Sequence, residues 1–189
     1  MMKSRKSATR EWVETLVIAV ILALILRTFF VQSFKIPSGS MIPTLKVGDK
    51  LLVTKLTYGA KVPFTNFRLP GFGSPARGDI IVFKYPLDQK RDFIKRLIGK
   101  EGDRIKINDG KILINGSRTE LPRITKNHYY AAGPFGQDEI IVPADSYYAL
   151  GDNSYASKDS RYWGFVPEEN IVGKAFFIFW PPHRIQILK

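Results

Sequence analysis

The feature that most constrains this chain is an apolar run close to its start. Residues 16–26 read Leu, Val, Ile, Ala, Val, Ile, Leu, Ala, Leu, Ile and Leu without a polar side chain. Uninterrupted, that run is short of the roughly 20 residues a helix needs to cross a bilayer. Extended to residues 12–34 it becomes long enough, and then includes Glu14 near one end and Arg27 nearer the other. Long charged side chains near the ends of a span reach toward headgroups. Trp12, Phe29 and Phe30 stand where interfacial aromatics are common. Lys3, Arg5, Lys6 and Arg10 precede the run.

Three readings compete for this segment. A cleaved leader shares the charge-then-apolar layout, and Val31, Gln32 and Ser33 offer a small-residue cleavage pattern. Arg27 and two phenylalanines between the run and that point fit a leader poorly. A buried core helix apolar on every face is unusual in a small domain. An uncleaved anchor is therefore the preferred reading. It divides the chain into a short basic cytoplasmic segment, residues 1–11, a transmembrane helix, residues 12–34, and an extracytoplasmic domain, residues 35–189. The basic flank sets that orientation by the positive-inside rule, while Lys35 and Lys46 beyond the span weaken the charge contrast.

Composition narrows the chemistry. The chain has 189 residues, 44% hydrophobic and 24% charged, enough apolar material for a globular core and too much for disorder. Cysteine is absent, which excludes disulfides, a thiol nucleophile and thiolate metal sites. The two histidines, His128 and His183, lie far apart in sequence, so neither a His-rich metal site nor a Ser-His-Asp arrangement is expected, and no cofactor is. The formal net charge of +12 suits an anionic partner. No helix-turn-helix, zinc finger or aromatic RNA-binding pattern points to nucleic acid, so the anionic headgroups of a lipid bilayer are the expected partner.

Beyond the anchor the pattern is β. Short apolar runs at residues 50–55, 79–85, 93–99, 139–142, 147–150 and 173–180 read as strands. Residues 104–107 and 111–116 read as a hairpin closed by Asn108, Asp109 and Gly110. Strands at this spacing predict a mainly β domain of twisted antiparallel sheets or an open barrel. Residues 60–76 and 125–137 read as loops, the first with aromatics suited to touching a membrane.

Three segments carry candidate chemistry. In the first, Pro37 and Pro43 flank Ser38, Gly39 and Ser40 directly after the anchor. A stiff irregular turn can project a serine oxygen and aim N–H groups at a carbonyl, but the segment alone reads as readily as a linker. In the second, Lys95 sits in an apolar strand on the face of Phe93 and Leu97, opposite Ile94 and Arg96. Desolvation there would lower its pKa far enough for general-base work, while a solvent-facing lysine is the plainer alternative. In the third, residues 151–164 crowd Asp152, Asp159, Arg161 and serines against Tyr162 and Trp163, which suits a rigid charge network better than an exposed loop.

Taken together these segments resemble the boxes of bacterial type I signal peptidases over nearly the whole chain after residue 10. Pro37 to Met41 with Pro43, Thr44 and Leu45 is similar to the family's nucleophile box. Arg77 to Phe83 is similar to its central strand, Lys95 and Arg96 with Gly99, Gly102 and Asp103 to its general-base box, and Gly151 to Asn153 with Ser157 to Gly164 to its last box. The resemblance implies a signal peptidase fold and a membrane-bound serine endopeptidase that cuts preprotein signal peptides after Ala-x-Ala. It implies Ser40 as nucleophile and a neutral Lys95 as base. Ser38 and the Ser40 N–H would form an oxyanion hole, and Ser157 would hold the Lys95 amine. Arg96, Asp152, Asp159 and Arg161 would support the site. Phe34, Ile36, Pro37, Met41, Leu51, Val82, Phe93 and Ile94 would line shallow pockets for small side chains. Ser154 stands where the family often carries arginine, and Tyr155 and Ala156 replace commonly polar residues. A non-catalytic anchored β module that binds preproteins or anionic lipid is the alternative.

Overall fold

The computed structural model describes residues 8–59, 61, 65 and 67–188. Lys3, Arg5 and Lys6 of the basic flank, and parts of the 60–76 loop, lie outside the described residues. Helix α1, Ala8–Ile25, runs on through one π-helical turn, Leu26–Phe30. Its apolar side chains are exposed all round, and Arg10 pairs with Glu14 one turn away at 2.9 Å. Thr9–Phe30 is long and apolar enough to cross a membrane, with a mean hydropathy of 2.3. Its 22 residues rise about 33 Å, matching a hydrocarbon core of about 30 Å.

The helix stops earlier than its apolar pattern suggests. Residues 31–34, expected at the end of the span, belong instead to strand β1, Val31–Lys35, which pairs residue for residue with β2, Lys50–Thr54. The cause is local preference joined to pairing. Thr28, Phe29, Phe30 and Val31 are β-branched or aromatic, and the extended chain finds a partner edge. Lys55 fixes the junction: its N–H donates to the Phe30 carbonyl at 2.9 Å, and its Nζ to the Arg27 and Thr28 carbonyls at 3.2 and 3.1 Å. A cation thus satisfies carbonyls at the helix end.

The remaining strands are β3, Ile80–Tyr85; β4, Asp88–Lys100; β5, Arg104–Asn108; β6, Lys111–Ile114; β7, Ser117–Arg118; β8, Ile140–Ile141; β9, Ser146–Leu150; β10, Val166–Pro167; β11, Ile171–Trp180; and β12, Gln186–Ile187. The larger sheet runs β1-β2-β11-β3-β4-β9-β10 with β12 on β11, the smaller β7-β6-β5-β8. Every strand pairing among the described residues is antiparallel, as the mainly β reading expected. The β5–β6 turn is made by Asp109 and Gly110 at φ 46° and 74°, the two positive angles that a two-residue hairpin of this hand requires.

Among the strand edges left unpaired in the described residues, two belong to β1 and β4. Strand β1 ends the sheet. Strand β4 pairs with β3 along residues 92–96, but β9 joins its other side only along residues 96–100. Residues 92–95 of β4 therefore keep one unpaired edge among the described residues. Each step from β1 through β2, β11 and β3 to β4 is antiparallel, so β1 and β4 run in one direction. Ile36, Met41, Leu45, Leu51, Val53, Val82 and Ile178 form a core beneath the segment that comes after β1. Burying Met41 and Leu45 stabilises that segment by about 1.5–3 kcal/mol per side chain. A second core gathers Leu97, Phe83, Ile81 and Tyr58, with Phe93 and Trp163 packed against it.

Candidate active site

The segment after β1 is held at both ends. The Ile36 N–H donates to the Asp49 carbonyl and the Gly48 N–H to the Ile36 carbonyl, each at 2.9 Å, while Arg184 grips the Asp49 carboxylate at 2.8 and 2.9 Å. With Met41 and Leu45 turned into the core, Ser40 is presented above it, 7% exposed. Its carbonyl accepts the Asn153 N–H at 3.0 Å, and Asn153 Nδ2 donates to the Gly39 carbonyl at 3.1 Å. The Ser40 N–H donates to no other group among the described residues.

Lys95 arrives from β4 and is 4% exposed. Its Nζ lies 2.7 Å from Ser40 Oγ and 3.0 Å from the Ile94 carbonyl. The Phe93 ring covers it at 5.6 Å, and that ring is itself stacked on Tyr85 at 4.5 Å and edged by Trp163 at 5.4 Å. Burial pushes the Lys95 pKa down to about 8; Asp159 and Asp152 pull it back up, and Arg161 lowers it. The arrangement sets the Ser40 hydroxyl within hydrogen-bond reach of an amine whose proton affinity burial has lowered, the geometry by which a base can activate a serine.

The four charged residues expected to support the site form two buried pairs. Arg96 reaches Asp152 through Nε–Oδ1 and Nη2–Oδ2, and donates to the Gly78 carbonyl at 2.7 Å. Arg161 reaches Asp159 through Nε at 2.7 Å and Nη2 at 2.8 Å. Asp159 also accepts the Gly151 N–H at 3.0 Å. These bonds fix the 151–161 loop from both sides. Ser154, where the family often has arginine, is buried and built in: its Oγ accepts from Arg161 Nη1 at 2.6 Å and from the Tyr130 N–H at 2.9 Å. Tyr155 is 90% exposed and edges Tyr130. Sequence reasoning passed over Thr44, although it stands in the first box; its Oγ1 bonds Asp152 Oδ2 at 2.5 Å. It also passed over Asn153 and over Gly151, whose missing Cβ makes room for Ser157 and the Ser40 carbonyl.

Ser157 departs from expectation. Its Oγ is buried and has no hydrogen-bond partner among the described residues, so it does not hold the Lys95 amine. The Ile94 carbonyl, on the same strand, accepts from that amine instead. Two pocket residues depart as well. Met41 and Leu51 are fully buried in the core and line neither of the two cavities beside Ser40 and β1, because the turn after Ser40 and the pleat of β2 direct them inward. Phe34, Ile36, Pro37, Val82, Phe93 and Ile94 do line one small cavity of about 40 Å³, between β1 and β4. It adjoins a larger one of about 510 Å³ that contains Ser38, which is exposed, together with Ser40, Lys95 and Ala156. Neither histidine lines these cavities. Among the described residues no three His, Cys, Asp or Glu side chains gather as a metal ligand set.

Residues 9–180 match the family described as signal peptidase, peptidase S26. A signal peptidase I of Leptolyngbya laminosa is 40% identical over 95% of this chain and 83% of its own length. A probable signal peptidase I-2 of Synechocystis is 38% identical over 98% of this chain and 81% of its own length. A solved signal peptidase I from Enterococcus faecalis V583 is 32% identical, with a TM-score of 0.44 over 53% of this chain and 96% of that one. With a family match across 172 of its residues and relatives of this identity over almost its full length, the chain belongs to the signal peptidases of the peptidase S26 family.

Proposed function

We propose that this protein is a membrane-anchored endopeptidase that removes N-terminal signal peptides from preproteins after Ala-x-Ala, with Ser40 as nucleophile and Lys95 as general base. The observation that carries the reading is the 2.7 Å bond between Lys95 Nζ and Ser40 Oγ in a site that depresses the lysine pKa.

The substrate would lie extended between the free edges of β1 and β4 and add a strand there. Its small side chains would enter the cavity lined by Phe34, Ile36, Pro37, Val82, Phe93 and Ile94, whose size rejects bulk. Neutral Lys95 would take the Ser40 hydroxyl proton as Oγ attacks the scissile carbonyl carbon. The Ser40 N–H and the Ser38 hydroxyl would receive the negative charge that develops on the carbonyl oxygen. The Lys95 ammonium would then give its proton to the departing amine, leaving an ester on Ser40. Lys95 would next take a proton from water, and the resulting attack would release the signal peptide and restore the serine.

Helix Thr9–Phe30 supports anchoring by a single span, with the N-terminus cytoplasmic and the β domain outside the cytoplasm of a bacterial inner membrane. The net charge of +12 supports contact with anionic headgroups. The test is cleavage of a preprotein whose signal peptide ends in Ala-x-Ala by detergent-solubilised protein. Wild type cuts after the second alanine and Ser40→Ala is inactive. Full activity in Ser40→Ala would instead overturn Ser40 as nucleophile, and no cleavage by wild type would leave an anchored module that binds preproteins without cutting them.

A further inference from the structure

The larger cavity around Ser40 and Lys95 carries two cations that the reaction does not use. Arg91, from β4, and Lys158, from the loop after β9, both line it, and neither lines the smaller cavity. Neither forms an ion pair among the described residues. Arg91 is ordered by aromatics rather than by a carboxylate: its guanidinium carbon lies 5.3 Å from the Phe93 ring and 5.6 Å from the Tyr85 ring. Such a contact fixes the planar group and leaves N–H donors free. The one carboxylate in this lining, Asp92, is engaged by Lys84 at 2.8 Å. The uncommitted charge facing the cavity is thus positive on both sides.

An extended substrate sends alternate side chains to opposite faces. If the first and third residues of Ala-x-Ala enter the small cavity between β1 and β4, the middle residue turns to the other face, where Arg91 and Lys158 stand. We propose that these two residues select an acidic side chain at the middle position of the cleaved end. The inference rests on the signal peptidase reading. Arg91 and Lys158 touch neither reacting atom in this scheme; they set which substrates are cut well.

The test measures kcat/KM of the full chain in detergent for three preproteins that differ only in the middle residue, Glu, Gln or Lys. At low ionic strength Glu exceeds Lys by about tenfold, with Gln between, as two partly solvated charges allow. The Glu-to-Lys ratio shrinks toward one in about 0.5 M salt, where exposed charges are screened, a reading that needs no substitution. It collapses in the Arg91→Gln, Lys158→Gln double variant and inverts in Arg91→Glu, Lys158→Glu. Ratios taken within one preparation cancel its active fraction. A wild-type ratio within about twofold of one overturns the proposal, as does a ratio that survives salt or charge reversal. Failure to cut even the Gln substrate overturns the signal peptidase reading and this proposal with it, so the two failures are told apart.

Discussion

Arg96 grips Asp152 through two near-parallel hydrogen bonds of 2.6 and 2.5 Å, with both side chains out of solvent, one residue on from Lys95. The pair ties β4 to the loop after β9, and that loop in turn holds the Ser40 carbonyl through Asn153. Removing one partner strands a buried charge, which costs about 3–5 kcal/mol. Asp152→Ala and Arg96→Met therefore each lower the unfolding free energy by about that amount. The double change Arg96→Met, Asp152→Ala costs less than the sum of the singles. Denaturant titration of the three variants reads both effects.

Lys95 gives the pH dependence. Its folded pKa of about 8 lies below the ordinary lysine value, so the ammonium, not the amine, is what folding disfavours. On the proposed mechanism activity rises with pH through about 8, because only a neutral amine can accept the Ser40 proton. Folding stability also rises with pH between about 8 and 10.4, where the unfolded chain binds the extra proton, and the cost is full below about pH 8. Lys95→Met removes that cost. It is inactive, yet at about pH 7 it is more stable than wild type by roughly 1–3 kcal/mol. A variant that is both dead and destabilised would contradict the burial argument.

Gly151→Ala tests the fit of the loop against the nucleophile. A Cβ there would overlap Ser157 Oγ and come within 2.5 Å of the Ser40 carbonyl oxygen. The loop must shift, and Ser40 with it. We expect kcat to fall by about 100-fold or more, as misplacement of a reacting group by about 1 Å does. Single-turnover kinetics on folded protein check it.

The junction between helix and sheet sets where the chain can be shortened. A chain beginning at Val31 keeps all of β1 and its five pairs with β2. It folds, with cooperative thermal unfolding. A chain beginning at Ile36 loses that edge strand and leaves β2 partly uncovered, and its melting temperature falls by several degrees. Circular dichroism on both separates this boundary from one at residue 34.

Sequence patterning reached far here because two of its signals are local. An apolar run flanked by charge fixes a membrane-length helix, and period-two alternation fixes strands such as β5, whose Ile105 and Ile107 are buried between exposed neighbours. The boxes around Ser40, Lys95, Asp152 and Arg161 were legible as residue types in order. What no local pattern carries is a contact across the chain. That residues 31–34 pair as a strand depends on β2 lying beside them. That Met41 and Leu51 face inward, and that Ser157 Oγ has no partner among the described residues while the Ile94 carbonyl takes the Lys95 amine, depends on how the sheet packs on its core. The meeting of Ser40 and Lys95, 55 positions apart, is likewise the work of tertiary packing. Backbone preferences act over a few residues, whereas burial and hydrogen-bond satisfaction are settled only when distant segments compete for the same space.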